Sequence, residues 1–526
     1  MEFMILLPIV LPILAGIVLL LLPDRLFANR NKLLIFAGIF LVTGAVSTLL
    51  VSSGIFGDTL ILFKLVDDIP VYFAIDNVGK LFSIMVMIVL TMAGIFSFGY
   101  MEHEKNEKRY YGFFLIVYGV LMGLDYSGNL ITMYMFYELM TLTSMPLVLH
   151  EGTREAVIAG LKYMFFSFFG AYMALYGIYF LNQYTATLNF TAGGTLDINA
   201  INAAGNSGFM LVVCFLMVLG FGVKAGMFPL HSWLPTAHPV APAPASAALS
   251  GIIVKSGILA IIRTVFYCVG ADFIRNTWVQ TAWLILALIT VLMGSALAFK
   301  EQIFKKRLAY STVSNLSYIL FGVALLNPIG LTGAIMHVVC HAIIKCGLFL
   351  TAGLIIVQTG KKRVADTAGL GHKMPITFWC FIILSLGLIG IPPTAGVVSK
   401  WYLCIGALNG DLQVFSWLGP VVLLISALLT AGYLLPIGIK GFLVKAEDDT
   451  GRINYTKEEI EENEIMKALS EDEEHHKNSK GNVEKQLPAI VVMLIPIIVM
   501  TVLSVIIGLF PTAIVDFISD IAAEIL

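Results

Sequence analysis

Apolar runs of about twenty residues, the length a helix needs to cross a bilayer, follow one another along almost the whole chain. Reading for them gives fourteen, near 3–22, 33–51, 79–100, 111–126, 128–149, 157–182, 208–238, 241–269, 278–299, 307–326, 330–357, 375–408, 414–443 and 487–512. Two of these, 208–238 and 375–408, are too long for one straight crossing. Both carry helix breakers near the middle: Gly226-Met227-Phe228-Pro229 and Gly390-Ile391-Pro392-Pro393. Proline lacks a backbone donor and its ring clashes with the preceding turn. In a membrane such a break survives only inside protein or beside a water-filled cavity. The pattern predicts an all-α polytopic membrane protein of about fourteen transmembrane helices, with helices 7 and 12 interrupted. The first run lacks a basic n-region and a small-residue cleavage site, so it reads as a span rather than a signal peptide.

Composition supports that class. Of 526 residues, 58% are hydrophobic and only 13% charged, against about 25% charged in a soluble domain, which excludes a soluble enzyme. The near-neutral net charge of −2 hides a weakly basic body and an acidic loop at 445–486 with thirteen acids and seven bases. That loop reads as a solvated tether, and nothing points to nucleic acid as a partner.

Six dispersed cysteines form no CxxC pair, and no Walker or dinucleotide-binding glycine pattern is present. An iron–sulfur or zinc cluster, ATP-driven transport and a cofactor of its own are therefore not expected, and no intrinsic catalytic site is expected either. The driving energy has to come from an ion gradient or a partner.

The short loops set an orientation. One alternate set holds Arg25, Arg30, Lys32, Lys105, Lys108, Arg109, Arg154, Lys300, Lys305, Lys306, Arg307, Lys361, Lys362, Arg363 and Lys373; the other holds only Lys64, Lys80 and Arg275. By the positive-inside rule, the first set is cytoplasmic. Both termini are then extracytoplasmic, in a cell membrane of the prokaryotic inner-membrane type.

Ionisable residues near span centres cost at least about 2.5–3.5 kcal/mol each on insertion scales, so they need a reason. They are Glu138, Lys224, Lys255, His337, His341, Lys345 and Lys400. Desolvation disfavours the charged forms of such groups, which lets them exchange protons at small cost. His337, His341 and Lys345 recur every four residues along one helix face. The set reads as a proton relay.

Simpler readings stand beside it. Glu138 and Lys224 could be a structural ion pair. His337 and His341 have no ligand set around them that favours a metal. Lys162 and Arg263 are expected to snorkel toward the interfaces. His231 and His238, just past the first break, are candidates for capping groups or for the cytoplasmic proton intake.

The segments FPLHSWLPTAHPVAPAPASAALSGIIVKSGILAIIR, HVVCHAIIKCGLFL and GLIGIPPTAGVVSKWYL resemble the antiporter-like subunits shared by respiratory complex I, Mrp-type Na+/H+ antiporters and energy-converting membrane-bound hydrogenases. The resemblance covers roughly 70–440. It implies two inverted five-helix repeats, spans 4–8 and 9–13, each with one broken helix. The implied domains are 1–110 (helices 1–3), 111–269 (first repeat), 278–443 (second repeat), 444–486 (acidic cytoplasmic loop) and 487–526 (helix 14).

By the same resemblance Glu138 modulates the broken-helix lysine Lys224, and Lys255 bridges to His337, His341 and Lys345. Lys400 ends the chain and is the expected exit-side group. The frequent aspartate after WLP is Thr236 here, and span 10 offers Ser311, Ser314, Asn315 and Ser317 but no glutamate, so the halves differ chemically.

The expected function is proton translocation as a subunit of a redox-driven or Mrp-type complex. The expected partners are other hydrophobic subunits, the lipid bilayer and protons, with sodium as the alternative ion. A self-sufficient Na+/H+ antiporter and a purely structural scaffold are the competing readings.

Overall fold

The structure is a computed structural model that describes residues 2–27, 29–66, 69–410, 412–444 and 487–526; the acidic 445–486 loop lies outside the described residues. Helices dominate: α1 (Leu7–Leu21), α2 (Arg30–Ser52), α3 (Asn77–Tyr100), α4 (Glu107–Asp125), α5 (Leu130–Val148) and α6 (Arg154–Leu181) come first. Then follow α7 (Ser207–Lys224), α8 (Leu234–Val240) and α9 (Ala243–Val269). The chain continues through α10 (Trp278–Lys300), α11 (Phe304–Ala324), α12 (Pro328–Thr359), α13 (Pro375–Ile389), α14 (Ala395–Leu408) and α15 (Val414–Leu443), and closes with α16 (Leu487–Leu509) and α17 (Thr512–Ile525).

Among the described residues ten helices are long and apolar enough to cross a membrane, and α13 and α14 are two shorter apolar helices. The helices α4, α5 and α11 are of comparable length but more polar. Several helices start where an Asn, Asp or Thr side chain accepts a first-turn N–H: Asn29, Asp76, Asn129, Thr153 and Asn327.

The core runs lengthwise. The helix α9 is buried throughout and α12 is buried from Gly330 to Ile355, so neither turns a face outward along those stretches. The helix α12 touches α3, α9, α11, α13, α14, α16 and α17. By contrast α2 and α6 turn Ile35, Ile39, Val42, Phe165, Tyr172 and Tyr179 outward. Close crossings use glycine, as expected where no water drives helices together. Gly170 and Gly220 leave no room for a Cβ between α6 and α7, and Gly333 and Gly406 do the same between α12 and α14.

Both predicted breaks are present. The helix α7 stops at Lys224, Gly226 adopts a left-handed φ of 71°, and α8 resumes at Leu234. The helix α13 stops at Ile389, Gly390 caps it at φ 92°, and α14 resumes at Ala395. The Phe228–Pro229 and Pro392–Pro393 bonds are cis.

Three expectations need correction. The fold is not purely α: β1 (Thr59–Val66) and β2 (Ile69–Ala74) pair antiparallel. These segments are rich in Ile, Leu, Val, Tyr and Phe, too short to span, and suited to a pleated surface. Residues 487–526 form two helices rather than one, because Pro511 cannot continue α16; the apolar face of α17 (Val515, Ile518, Ile521, Ile525) then packs on the bundle. Arg263 does not snorkel. It is 2% exposed and pairs with Asp76 at the start of α3, a residue too far away in sequence for the run pattern to connect.

Candidate functional site

The first break places Lys224 as the last residue of α7, 0% exposed. Its ammonium sits at the negative end of the helix dipole. Its Nζ donates to Thr141 Oγ1 at 2.5 Å, Tyr163 OH at 3.3 Å and Ser167 Oγ at 3.3 Å, and lies 5.1 Å from the Tyr137 ring centre. Thr141 comes from α5, Tyr163 and Ser167 from α6, so two helices build the cage around a lysine of a third.

Glu138 lies one turn before Thr141 on α5. It is half-buried, and its Oε1 has no hydrogen-bond partner. No salt bridge joins it to Lys224 among the described residues. The structural-pair reading thus loses its contact: Lys224 is held by hydroxyls instead. The backbone freed by the break is satisfied by neutral donors and acceptors. Trp233 Nε1 donates to the Val223 carbonyl at 2.9 Å, and the Phe228 N–H donates to Thr290 Oγ1 at 3.0 Å.

Lys255 sits in α9 just after a π segment, Leu249–Ile253, and donates to the Ser250 carbonyl. The wider turn misaligns the i→i−4 ladder and offers carbonyls to side chains. Ser250 Oγ meets Thr312 Oγ1 of α11 at 2.8 Å. On α12, Lys345 Nζ donates to Ser311 Oγ at 2.7 Å and to the Leu308 carbonyl at 2.9 Å, and Tyr433 OH donates to Ser311 at 2.8 Å. His341 is buried with neither ring nitrogen bonded. His337 lies 6.0 Å from it ring to ring, and its Nδ1 meets Ser399 Oγ at 2.9 Å.

At the second break Lys400, half-buried in α14, reaches back to the last carbonyls of α13: Leu388 O at 2.7 Å and Ile389 O at 2.8 Å. The Tyr318 ring lies 5.4 Å from the His337 ring and 5.1 Å from Lys400 Nζ, so one aromatic ring packs against both groups. Lys345, His341 and His337 follow one another at four-residue spacing on α12, and Tyr318 links His337 to Lys400.

The first-break histidines are placed separately. His231 is half-buried with Nδ1 unbonded and stacks on Phe228 at 6.1 Å. His238 is fully buried in α8, stacks on Phe349 at 4.5 Å and bonds through neither nitrogen. Thr236, in the place of the frequent aspartate, turns its hydroxyl onto the Trp233 carbonyl at 2.7 Å.

Sequence reasoning missed Thr141, Tyr163, Ser167, Thr312, Tyr318 and Ser399, because hydroxyl residues in apolar helices carry no distinguishing spacing. It also missed Lys305, 7% exposed, whose Nζ donates to the Ala241 carbonyl at 2.7 Å; its place in a basic loop had marked it only as an orientation signal.

Comparison with known proteins adds a second line of support. A family model described as the NADH:quinone oxidoreductase/Mrp antiporter transmembrane region matches residues 127–430. One described as the complex I chain 5 N-terminus matches residues 66–111. The chain is 33% identical over 348 residues to NADH-quinone oxidoreductase subunit N of Desulforudis audaxviator, covering 66% of this chain and 67% of that one. It is 29% identical over 461 residues to a Na(+)/H(+) antiporter subunit of Bacillus subtilis, covering 86% of this chain and 90% of that one. Its fold matches a chain of the Mrp complex from Dietzia sp. with a TM-score of 0.77 at 24% identity, over 100% of this chain and 97% of that one.

Proposed function

The chain belongs to the NADH:quinone oxidoreductase/Mrp antiporter family of membrane subunits, and from that premise we propose that it is the proton-translocating, antiporter-like subunit of a multi-subunit redox-driven or Mrp-type complex. Protons pass between Glu138, Lys224, Lys255, Lys345, His341, His337 and Lys400 through the hydroxyls and wet spaces beside them. His231 and His238 serve intake from the cytoplasm, and Lys400 serves release. The chain crosses the membrane fourteen times, with α7–α8 and α13–α14 each counted as one broken crossing. The helices α4–α9 and α10–α15 form the two inverted repeats, residues 1–110 the first three helices, and both termini face outward. Neighbouring hydrophobic subunits cover the apolar outer helices.

One observation carries this reading. A fully buried lysine ends a broken helix and is held by three neutral hydroxyls, with no carboxylate in salt-bridge contact with it among the described residues. A structural charge would be paired; a hydroxyl can donate or accept, so this cage tolerates both the charged and the neutral amine. Lys224→Ala in the assembled complex is expected to abolish coupled proton movement in inverted vesicles while assembly persists. Wild-type pumping in that variant removes Lys224 from the path.

A further inference from the structure

A second buried ionisable cluster lies at the hairpin end of the bundle, away from the groups above. Asp125 ends α4 and is 2% exposed, with Oδ2 lacking any hydrogen-bond partner. Beside it Arg263 of α9 is bonded to Asp76 through both terminal nitrogens: Nη1 to Oδ2, and Nη2 to Oδ1 at 2.6 Å. A Cβ placed on Gly79 would lie 2.7 Å from the Asp125 backbone carbonyl, 3.1 Å from Asp76 Oδ1 and 3.6 Å from Arg263 Nη2, so the Asp76–Arg263 pair packs against the end of α4 that carries Asp125. Phe190 and Tyr267 cover the guanidinium at 4.9 Å and 4.7 Å.

The cluster holds one cation and two carboxyls. Burial by itself raises the Asp76 carboxyl, but the Arg263 charge, its hydrogen bond and the Gly79 N–H hold it below the usual carboxylate range. Asp76 therefore stays ionised and uses the positive charge, and a bidentate guanidinium–carboxylate pair is geometrically saturated. Asp125 is left as a buried carboxyl whose ionisation would add an uncompensated charge.

Inward, Lys255 lies eight residues back along α9 from Arg263, about 12 Å at 1.5 Å per residue. Outward, the Asp76 side chain is 32% exposed. The other titratable groups around the site are Tyr267 and Cys268 on α9, Glu524 of α17 toward Tyr267, and Tyr126 beside Asp125, the last bonded to Ser52 at 3.0 Å.

We propose that Asp125 is a proton-holding station at the hairpin end of the first half, taking protons from the Lys255 region and giving them to water at Asp76, with Arg263 as the positioning residue that Asp76 keeps occupied. This rests on the proton-translocation reading above. The carboxylate gains one proton from the inner side and loses one to solvent, so nothing else is consumed.

The test uses the assembled complex in vesicles, with proton movement and infrared difference spectra. A protonated-carboxyl C=O band sensitive to H/D exchange is expected in the wild type and absent in Asp125→Asn. It is also expected to vanish in Asp76→Asn, where Arg263 is freed to pair with Asp125 and fix it as carboxylate. Losing a proton-transfer group costs on the order of 10²-fold, and proton movement in Asp125→Asn should fall by that order. A band that survives in Asp125→Asn or Asp76→Asn, its absence from the wild type, or normal pumping by Asp125→Asn overturns the proposal. If Asp125→Asn fails to assemble, the wild-type and Asp76→Asn spectra decide. Normal pumping by Lys224→Ala would instead overturn the parent reading.

Discussion

The two broken helices solve one backbone problem in opposite ways. At the first break the freed groups are met by Trp233 and Thr290, leaving Lys224 to bond only hydroxyls. At the second, Lys400 itself satisfies the carbonyls of Leu388 and Ile389. Hydroxyls can turn round when the amine loses its proton, whereas carbonyls only accept. The first lysine thus bonds side chains that can answer a change in its charge, whereas the second bonds the backbone and helps hold the break together. Similar sequence signatures, glycine and proline near a lysine, therefore do not imply similar chemistry.

That contrast can be broken by substitution. The largest effect is expected at Lys400→Met, which removes the donor to two buried carbonyls at about 1–3 kcal/mol each as well as the titratable group. Thermal unfolding of the purified complex should shift markedly downward and pumping should be lost. Lys400→Arg should restore stability without pumping, since guanidinium does not deprotonate. Lys224→Met should lose pumping with a much smaller thermal shift; equal shifts in the two methionine variants would erase the distinction.

Next comes Trp233→Phe, which removes one of the donors to the Val223 carbonyl and leaves it the Gly226 N–H at 3.0 Å; losing that hydrogen bond, worth about 1 kcal/mol, should lower stability more than it lowers pumping. A loss of pumping as deep as that of Lys224→Met would place Trp233 in the path itself. The smallest effect is expected at Ser399→Ala, which removes one hydrogen bond to His337, worth about 1 kcal/mol, and should slow pumping while leaving assembly intact. Unchanged rates there would make that contact incidental.

Much of this was legible beforehand. Run length and the Gly/Pro clusters located both breaks, and the depth of Lys224, His341 and Lys345 marked buried charge, because those signals are local. What stayed hidden depends on distant partners. Arg263 read as a snorkelling side chain until Asp76 was brought beside it. Glu138 and Lys224 read as a natural pair, yet the hydroxyls of α5 and α6 occupy that space. The hairpin escaped because its strands are shorter than a span and have no hairpin-turn signature to set them apart from a loop. The π segment that gives Lys255 its carbonyl comes from packing around α9, which no spacing rule announces.

The cage around Lys224 also acts as insulation. Tyr163 OH meets Ser144 Oγ at 2.8 Å, and Ser144 donates onward to the Met140 carbonyl at 2.6 Å; Thr141 likewise ends on the Tyr137 carbonyl at 3.3 Å. Both of these branches terminate at a carbonyl oxygen that has no proton to pass on, so these hydroxyls polarise around the amine but form a cul-de-sac. Under the proposed relay, a proton held on Lys224 would be solvated there without draining along these two branches into α5. The side chains that accommodate its charge would then also guard against leak, and the tightness of coupling in this half would depend on where those branches end.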